Sequence, residues 1–310
     1  MSDTRCGFVA LVGAPNAGKS TLLNALVGAK VSIVSRKAQT TRSTVRGILV
    51  EGAAQVIFVD TPGLFAPKRR LDRAMVAAAW GAAGDADALA LLVDARQEIG
   101  DAEKGPAAEL GEAMQAIVAT LGEQRTPRFL VLNKVDLVDR RQLLALAERL
   151  NAALPFVDTF MISALNGDGV DRLKTRLAEA MPGGPWLYPE DQIAEAPLRA
   201  LAAEITREKL FERLHDELPY QTTVETESWK DQPDGSARIE QTIYVTRDSH
   251  KKIVIGEGGR TIKAIGSAAR KEIAEAHEAP VHLFLFVKVR ANWLDDPERY
   301  RAMGLEFPKS

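Results

Sequence analysis

The stretch Gly13-Ala14-Pro15-Asn16-Ala17-Gly18-Lys19-Ser20 decides the fold. Its glycine, lysine and serine spacing is that of a phosphate loop, and it stands where such a loop must stand, between an apolar run at 6–12 and a helical stretch at 19–28. In that context the glycines let backbone N–H groups converge on phosphate oxygens, the helix N-terminus adds partial positive charge, and Lys19 brings an ammonium to the β- and γ-phosphates. Ser20 is then placed to ligate magnesium.

Working outward, apolar runs at 6–12, 45–50, 55–60, 86–94, 127–133 and 156–162 read as strands. Helices are expected between most of them, near 19–28, 70–83, 105–122, 139–150 and 169–181. This alternation predicts an α/β domain whose mostly parallel sheet is covered on both faces, with a nucleotide at the carboxyl ends of the strands. Around Met181-Pro182-Gly183-Gly184-Pro185 the pattern stops. The domain is accordingly bounded at 1–181, with a linker at 182–196 and a second domain at 197–310. In the second domain the order changes to a helix (197–215), two strands (220–230 and 237–246) joined at Gln232-Pro233-Asp234-Gly235, two helices flanking Gly256, and a strand at 281–290. That is an α+β block.

The 310 residues suit two domains, and the 46% apolar and 26% charged content is globular. The lone cysteine, Cys6, cannot form an internal disulfide and sits in an apolar run, which points to a reducing cytosol. No signal peptide or membrane-spanning segment is expected.

Asp60-Thr61-Pro62-Gly63 closes the third strand, where a carboxylate can hold magnesium through water and a glycine N–H can approach a γ-phosphate. Between this motif and the phosphate loop lies Gln39-Thr40-Thr41-Arg42; Thr41 is the choice for completing the magnesium shell, with Thr40 close behind. Asn133-Lys134-Val135-Asp136 follows the fifth strand. Asp136 can accept from guanine N1–H and the exocyclic amine, whereas adenine presents an acceptor and no amine there, so the nucleotide is GTP or GDP. Asn133 would tie this loop to the phosphate loop, the stem of Lys134 would lie against the purine, and Ser163-Ala164-Leu165 would offer a backbone N–H to guanine O6. The four motifs in this order describe a GTP hydrolase. Where small GTPases carry a water-orienting glutamine after Asp-x-x-Gly, this chain has Leu64, so turnover should be slow.

The form Gly-x-Pro-Asn-x-Gly-Lys-Ser with Gln-Thr-Thr-Arg resembles the Era family. Val254-Ile255-Gly256-Glu257-Gly258-Gly259-Arg260-Thr261-Ile262-Lys263 is similar to the Gly-x-x-Gly turn of a KH domain of type II, and Val287-Lys288-Val289-Arg290-Ala291-Asn292-Trp293 resembles the same family. The resemblance implies an α/β phosphate-loop GTPase domain followed by an α+β type II KH domain. It further implies binding of the 3′ end of small-subunit (16S) ribosomal RNA and assistance in assembly of the small ribosomal subunit. The protein is then a monomer in the cytoplasm, with peripheral attachment to the inner face of the membrane left open. It also suggests Asn16 as a ligand for potassium beside the Mg2+ site.

Bulk charge argues against RNA, since residues 182–310 hold 18 Lys and Arg against 22 Asp and Glu. Residues 247–271 run the other way, with Arg247, Lys251, Lys252, Arg260, Lys263, Arg270 and Lys271 against Asp248 and Glu257. RNA contact is expected there, at Lys251, Lys252, Gly256, Glu257, Gly258, Gly259, Arg260 and Lys263, with Glu257 weakening phosphate attraction. Action on another RNA, or a GTP-controlled protein or membrane adaptor, remains the alternative. Leu283-Phe284-Leu285-Phe286-Val287 could be quoted for an adaptor, but alternating burial in a strand accounts for it better.

Overall fold

The computed structural model describes residues 4–35, 37, 40–67, 69–102 and 110–308. The chain divides into two compact units, one formed by Met1–Ser32, Thr41–Glu195 and Gly304–Ser310, the other by Ile33–Thr40 and Ala196–Met303.

In the first unit the strands β1 (Arg5–Gly13), β2 (Val45–Glu51), β3 (Ala54–Asp60), β4 (Ala88–Asp94), β5 (Arg128–Asn133) and β6 (Asp158–Met161) form one sheet in the order β2-β3-β1-β4-β5-β6. All neighbours are parallel except β2 and β3. The strands read as continuous apolar runs because both faces are covered. Val9 and Leu11 of β1 point into a core shared with α1 (Lys19–Val27) and α6 (Val170–Ala180), while Ala10 and Val12 point into a second core with α2 (Arg70–Gly84), α4 (Glu112–Gly122) and α5 (Arg140–Ala153). The chain crosses from one side of β1 to the other between β3 and β4, which opens a crevice beyond the carboxyl end of β1.

Two details differ from the sequence reading. A helix, α3 (Ala95–Ala102), follows β4 directly, and the expected helix at 105–122 starts at Glu112, with 103–109 outside the described residues. The stretch read as a linker is laid along the first unit as far as Glu195. Gln55, fully buried, accepts the backbone N–H groups of Leu187 and Tyr188 at 2.9 and 3.0 Å, and Ile48 N–H donates to Ile193 O at 2.9 Å.

The second unit carries α7 (Leu198–Arg213), β7 (Thr222–Asp231), β8 (Ala237–Val245), α8 (Asp248–Ile255), α9 (Arg260–His277), β9 (Val281–Val289) and α10 (Pro297–Ala302). Its sheet runs β7-β8-β9, with β7 antiparallel and β9 parallel to β8. Ile243, Val245 and Val287 on one face pack with Leu210 of α7, Val254 of α8 and Ile265 of α9. Ile33–Thr40 belongs to this unit. Ile33 sits in its core, Glu208 Oε1 accepts Val34 N–H at 2.6 Å, and Lys37 Nζ donates to Phe211 O and to Leu214 O.

Candidate functional site

The phosphate loop is held open by backbone conformations that exclude side chains. Gly13 has φ +149 and Gly18 φ +97, and a Cβ would stand 2.3 Å from Leu92 O in the first case and 2.3 Å from Asn133 Nδ2 in the second. Lys19 opens α1 only 6% exposed, and its Nζ donates to Gly13 O at 3.0 Å and Ala14 O at 2.9 Å. Burial lowers this ammonium to about 8, against the pull of Asp60. A cation so desolvated gains from an anion brought beside it.

Ser20, Thr41 and Asp60 converge next to it. Ser20 Oγ donates to Asp60 Oδ2 at 2.6 Å and lies 3.0 Å from Thr41 Oγ1. Asp60 is fully buried, and its Oδ1 has no hydrogen-bond partner among the described residues. Burial pushes its carboxyl up, opposed by Ser20, Lys19, Ser32 and Thr41. Three oxygens with one buried carboxylate oxygen unsatisfied fit a hard divalent cation. Thr40 does not join them. Its hydroxyl donates to Lys37 O at 2.8 Å, and its carbonyl accepts from Arg207 Nη2 at 2.6 Å. Gln39 lies outside the described residues.

After Asp60 the roles divide. Thr61 stands among the residues expected at the γ-phosphate, but its buried hydroxyl donates to Leu11 O at 2.8 Å and pins β3 to β1. Pro62 and Gly63 pass so close to the phosphate loop that a Cβ on Gly63 would come within 2.8 Å of Pro15 Cα. Leu64 N–H donates to Gly13 O at 3.0 Å, and its side chain is 3% exposed in the second core.

Asn133 is the hinge pin of the base site. Its Nδ2 donates to Ala17 O at 2.8 Å and its Oδ1 accepts Ala164 N–H at 3.0 Å, so one buried amide joins the phosphate loop, β5 and the loop after β6. The N–H of Ala164 is therefore engaged by Asn133. Ser163 is buried, and Leu165 is 81% exposed. Lys134 has φ +64, and its Nζ pairs with Asp94 Oδ2 at 2.5 Å. Asp136 is exposed and open to a ligand. Asp94, Lys134, Leu137 and residues of α3 line an adjoining cleft of about 380 Å³.

In the second unit, Gly256, Gly258 and Gly259 have φ of +73, +58 and +76. A Cβ on Gly256 would fall 2.2 Å from Thr261 Oγ1. Only glycine makes this turn, which brings backbone to the surface ahead of the N-terminus of α9. Lys252 and Lys263 are exposed beside it, Lys251 is half-buried, and Arg260 pairs with Glu257. Glu257 thus engages one of the turn's own cations.

Residues 8–134 match the model of the 50S ribosome-binding GTPase family, and 217–294 match the KH domain. GTPase Era of Afipia carboxidovorans is 66% identical over 306 residues, covering 99% of this chain and 96% of that protein. The chain belongs to the Era family of GTPases. GTPase Era of Rhizobium meliloti is 62% identical over 99% of this chain and 94% of its own length. A single-residue variant of Aquifex aeolicus Era bound to GDP.AlF4- superimposes with a TM-score of 0.86 at 37% identity, covering 97% of this chain and 99% of the other. Era in complex with MgGDPNP and nucleotides 1506–1542 of 16S ribosomal RNA gives 0.87 at 36% identity, with the same coverage. As a member of the Era family the chain is a GTP hydrolase with a KH domain after its GTPase domain.

Two residues of this Era-family site escaped the sequence reading. Ser32, buried, donates to Asp60 Oδ2 at 3.0 Å, and Asp94 pairs with Lys134. Asp94 alone left a signal, a carboxylate ending a buried strand in register with Asn133.

Proposed function

We propose that the chain is a slow GTP-driven switch that carries the 3′ end of 16S rRNA on its KH domain during assembly of the small ribosomal subunit, acting as a cytoplasmic monomer. The observation that supports it most is the convergence of Ser20, Thr41 and the unsatisfied Asp60 Oδ1 beside buried Lys19, in a chain whose second unit presents three left-handed glycines. Ser20 and Thr41 directly, and Asp60 through water, would hold Mg2+, which spreads the charge that develops between the β- and γ-phosphates. Lys19 and the loop N–H groups bind phosphate, and Gly63 brings an N–H toward the γ-phosphate. Asn133, Lys134 and Asp136 select guanine, and Leu165 is the residue after the Asn133-anchored Ala164 whose N–H is assigned to guanine O6. With Leu64 buried, nothing at that position activates water, so hydrolysis is a timer rather than a fast turnover.

Asn16, exposed in the phosphate loop with φ +62, is assigned to a potassium ion that adds positive charge near the phosphates. Equal hydrolysis rates in potassium and sodium at matched ionic strength would remove this assignment. The domain limits that go with this reading are 1–181 for nucleotide and 197–310 for RNA. RNA contact is assigned to Lys251, Lys252, Lys263, Arg260 and the glycine turn. Crosslinking followed by sequencing of bound RNA tests the whole reading. Enrichment of the 16S 3′ end is expected, and enrichment of another RNA, or of none, contradicts it.

A further inference from the structure

No role at the nucleotide site or at the glycine turn falls to the run Leu283-Phe284-Leu285-Phe286-Val287. In β9 its residues part company. Leu283, Leu285 and Val287 join the cores beneath the helices, whereas Phe284 and Phe286 stand on the opposite face, 42% and 49% exposed. They are the only aromatic side chains among the exposed large apolar residues that the structure describes. Burial in a strand explains half of the run and leaves the phenylalanines unexplained.

Their surroundings suit a nucleic acid. Arg238 of β8 lays its guanidinium over the Phe284 ring, 4.5 Å from the centroid, while paired with Glu240 at 2.8 Å. Thr242, in register with Phe286, is 1% exposed and lies beneath this surface rather than on it. Lys230, in register with Arg238, and Lys288, two positions after Phe286, stand exposed toward opposite ends of the face. Neither has an ion pair among the described residues. Ring faces for bases, a guanidinium that can stack, and free ammonium groups for phosphates are what a single strand requires. A protein could meet the same phenylalanines. Cations left without partners, in a module that is acidic as a whole, favour a polyanion instead.

We infer that the exposed part of this face of the β7–β9 sheet, centred on Phe284 and Phe286 with Arg238, is a second surface for single-stranded RNA, separate from the glycine turn. The inference rests on the reading of the second unit as an RNA-binding domain. Because β9 is an edge strand, RNA gripped at the turn on the helical side can pass over it onto this face. Both phenylalanines belong to the second unit, and the phosphate loop belongs to the first.

The test is fluorescence anisotropy on the full chain with a labelled RNA spanning nucleotides 1506–1542 of 16S rRNA, comparing wild type, the double variant Phe284→Ser/Phe286→Ser, and Gly258→Asp. The double variant is expected to bind about tenfold more weakly or worse, with GTP hydrolysis unchanged. Lys288→Glu, a surface change that spares the core, should weaken binding and flatten its salt dependence. Unchanged RNA affinity in both the double variant and Lys288→Glu, with Gly258→Asp still damaging, overturns the sheet surface and leaves the KH reading intact. If none of the three variants weakens binding, the RNA reading of the domain falls too. RNA affinity retained by the double variant while attachment to anionic lipid vesicles is lost would assign the face to a membrane and overturn the inference.

Discussion

The two functional regions of the chain are built on opposite principles. At the nucleotide site the polar groups are buried and already bonded to one another: Lys19 to loop carbonyls, Ser20 to Asp60, Asn133 to both neighbouring loops. At the glycine turn the groups are exposed, and what is fixed is backbone conformation, at Gly256, Gly258 and Gly259. The difference matches the ligands. A nucleotide of one size and charge rewards preorganisation, since bonds formed in advance need no rearrangement when charge develops. A single strand of RNA asks only for close approach and a few cations, and these can stay solvated.

If the contrast is right, damage on each side should stay local, and the largest effect comes from the buried side. Lys19→Ala removes the one ammonium inside the phosphate loop, and steady-state GTP hydrolysis should fall about 10²- to 10³-fold. RNA affinity measured without nucleotide should be unchanged. Asp136→Asn sharpens the comparison within the nucleotide site, because it touches an exposed residue. GTP affinity should drop roughly 10- to 100-fold, and xanthine nucleotides, which offer a different hydrogen-bond edge, should gain in competition assays. Gly256→Ala is the counterpart on the other side. Its Cβ meets Thr261 in a left-handed conformation, a strain of about 1–3 kcal/mol, so RNA binding should weaken about tenfold while hydrolysis holds. The smallest effect is expected at Asp94→Asn. The ion pair with Lys134 is partly exposed, so GTP affinity should change only about two- to fivefold.

How much of this the sequence discloses follows the same division. The phosphate loop, Asp60 and the Asn133–Asp136 motif are legible because each is a short run whose spacing carries its chemistry. The order of strands and helices is legible from periodicity. The helix Ala95–Ala102 is not, because Ala95-Arg96-Gln97-Glu98-Ile99-Gly100-Asp101-Ala102 offers one large apolar residue and a glycine, and its fold is set by docking beside β4. Ser32, Arg207 and the membership of Ile33–Thr40 in the second unit depend on partners 28 to 177 residues away, which no local pattern announces. Thr40 and Thr41 are interchangeable as neighbours in sequence. In space one turns to Ser20 and Asp60 and the other to Lys37 and Arg207.

That parting of two adjacent threonines is the most direct handle on the switch. GTP hydrolysis titrated with Mg2+ should be measured for Thr40→Val and Thr41→Val, which keep shape and delete only the hydroxyl. Thr41→Val should lose about 100-fold in rate and require more Mg2+ for half-maximal activity, with GDP binding unaffected, while Thr40→Val stays near wild type. A rate and Mg2+ requirement disturbed by Thr40→Val and untouched by Thr41→Val would contradict the assembly of the metal site from Ser20, Thr41 and Asp60.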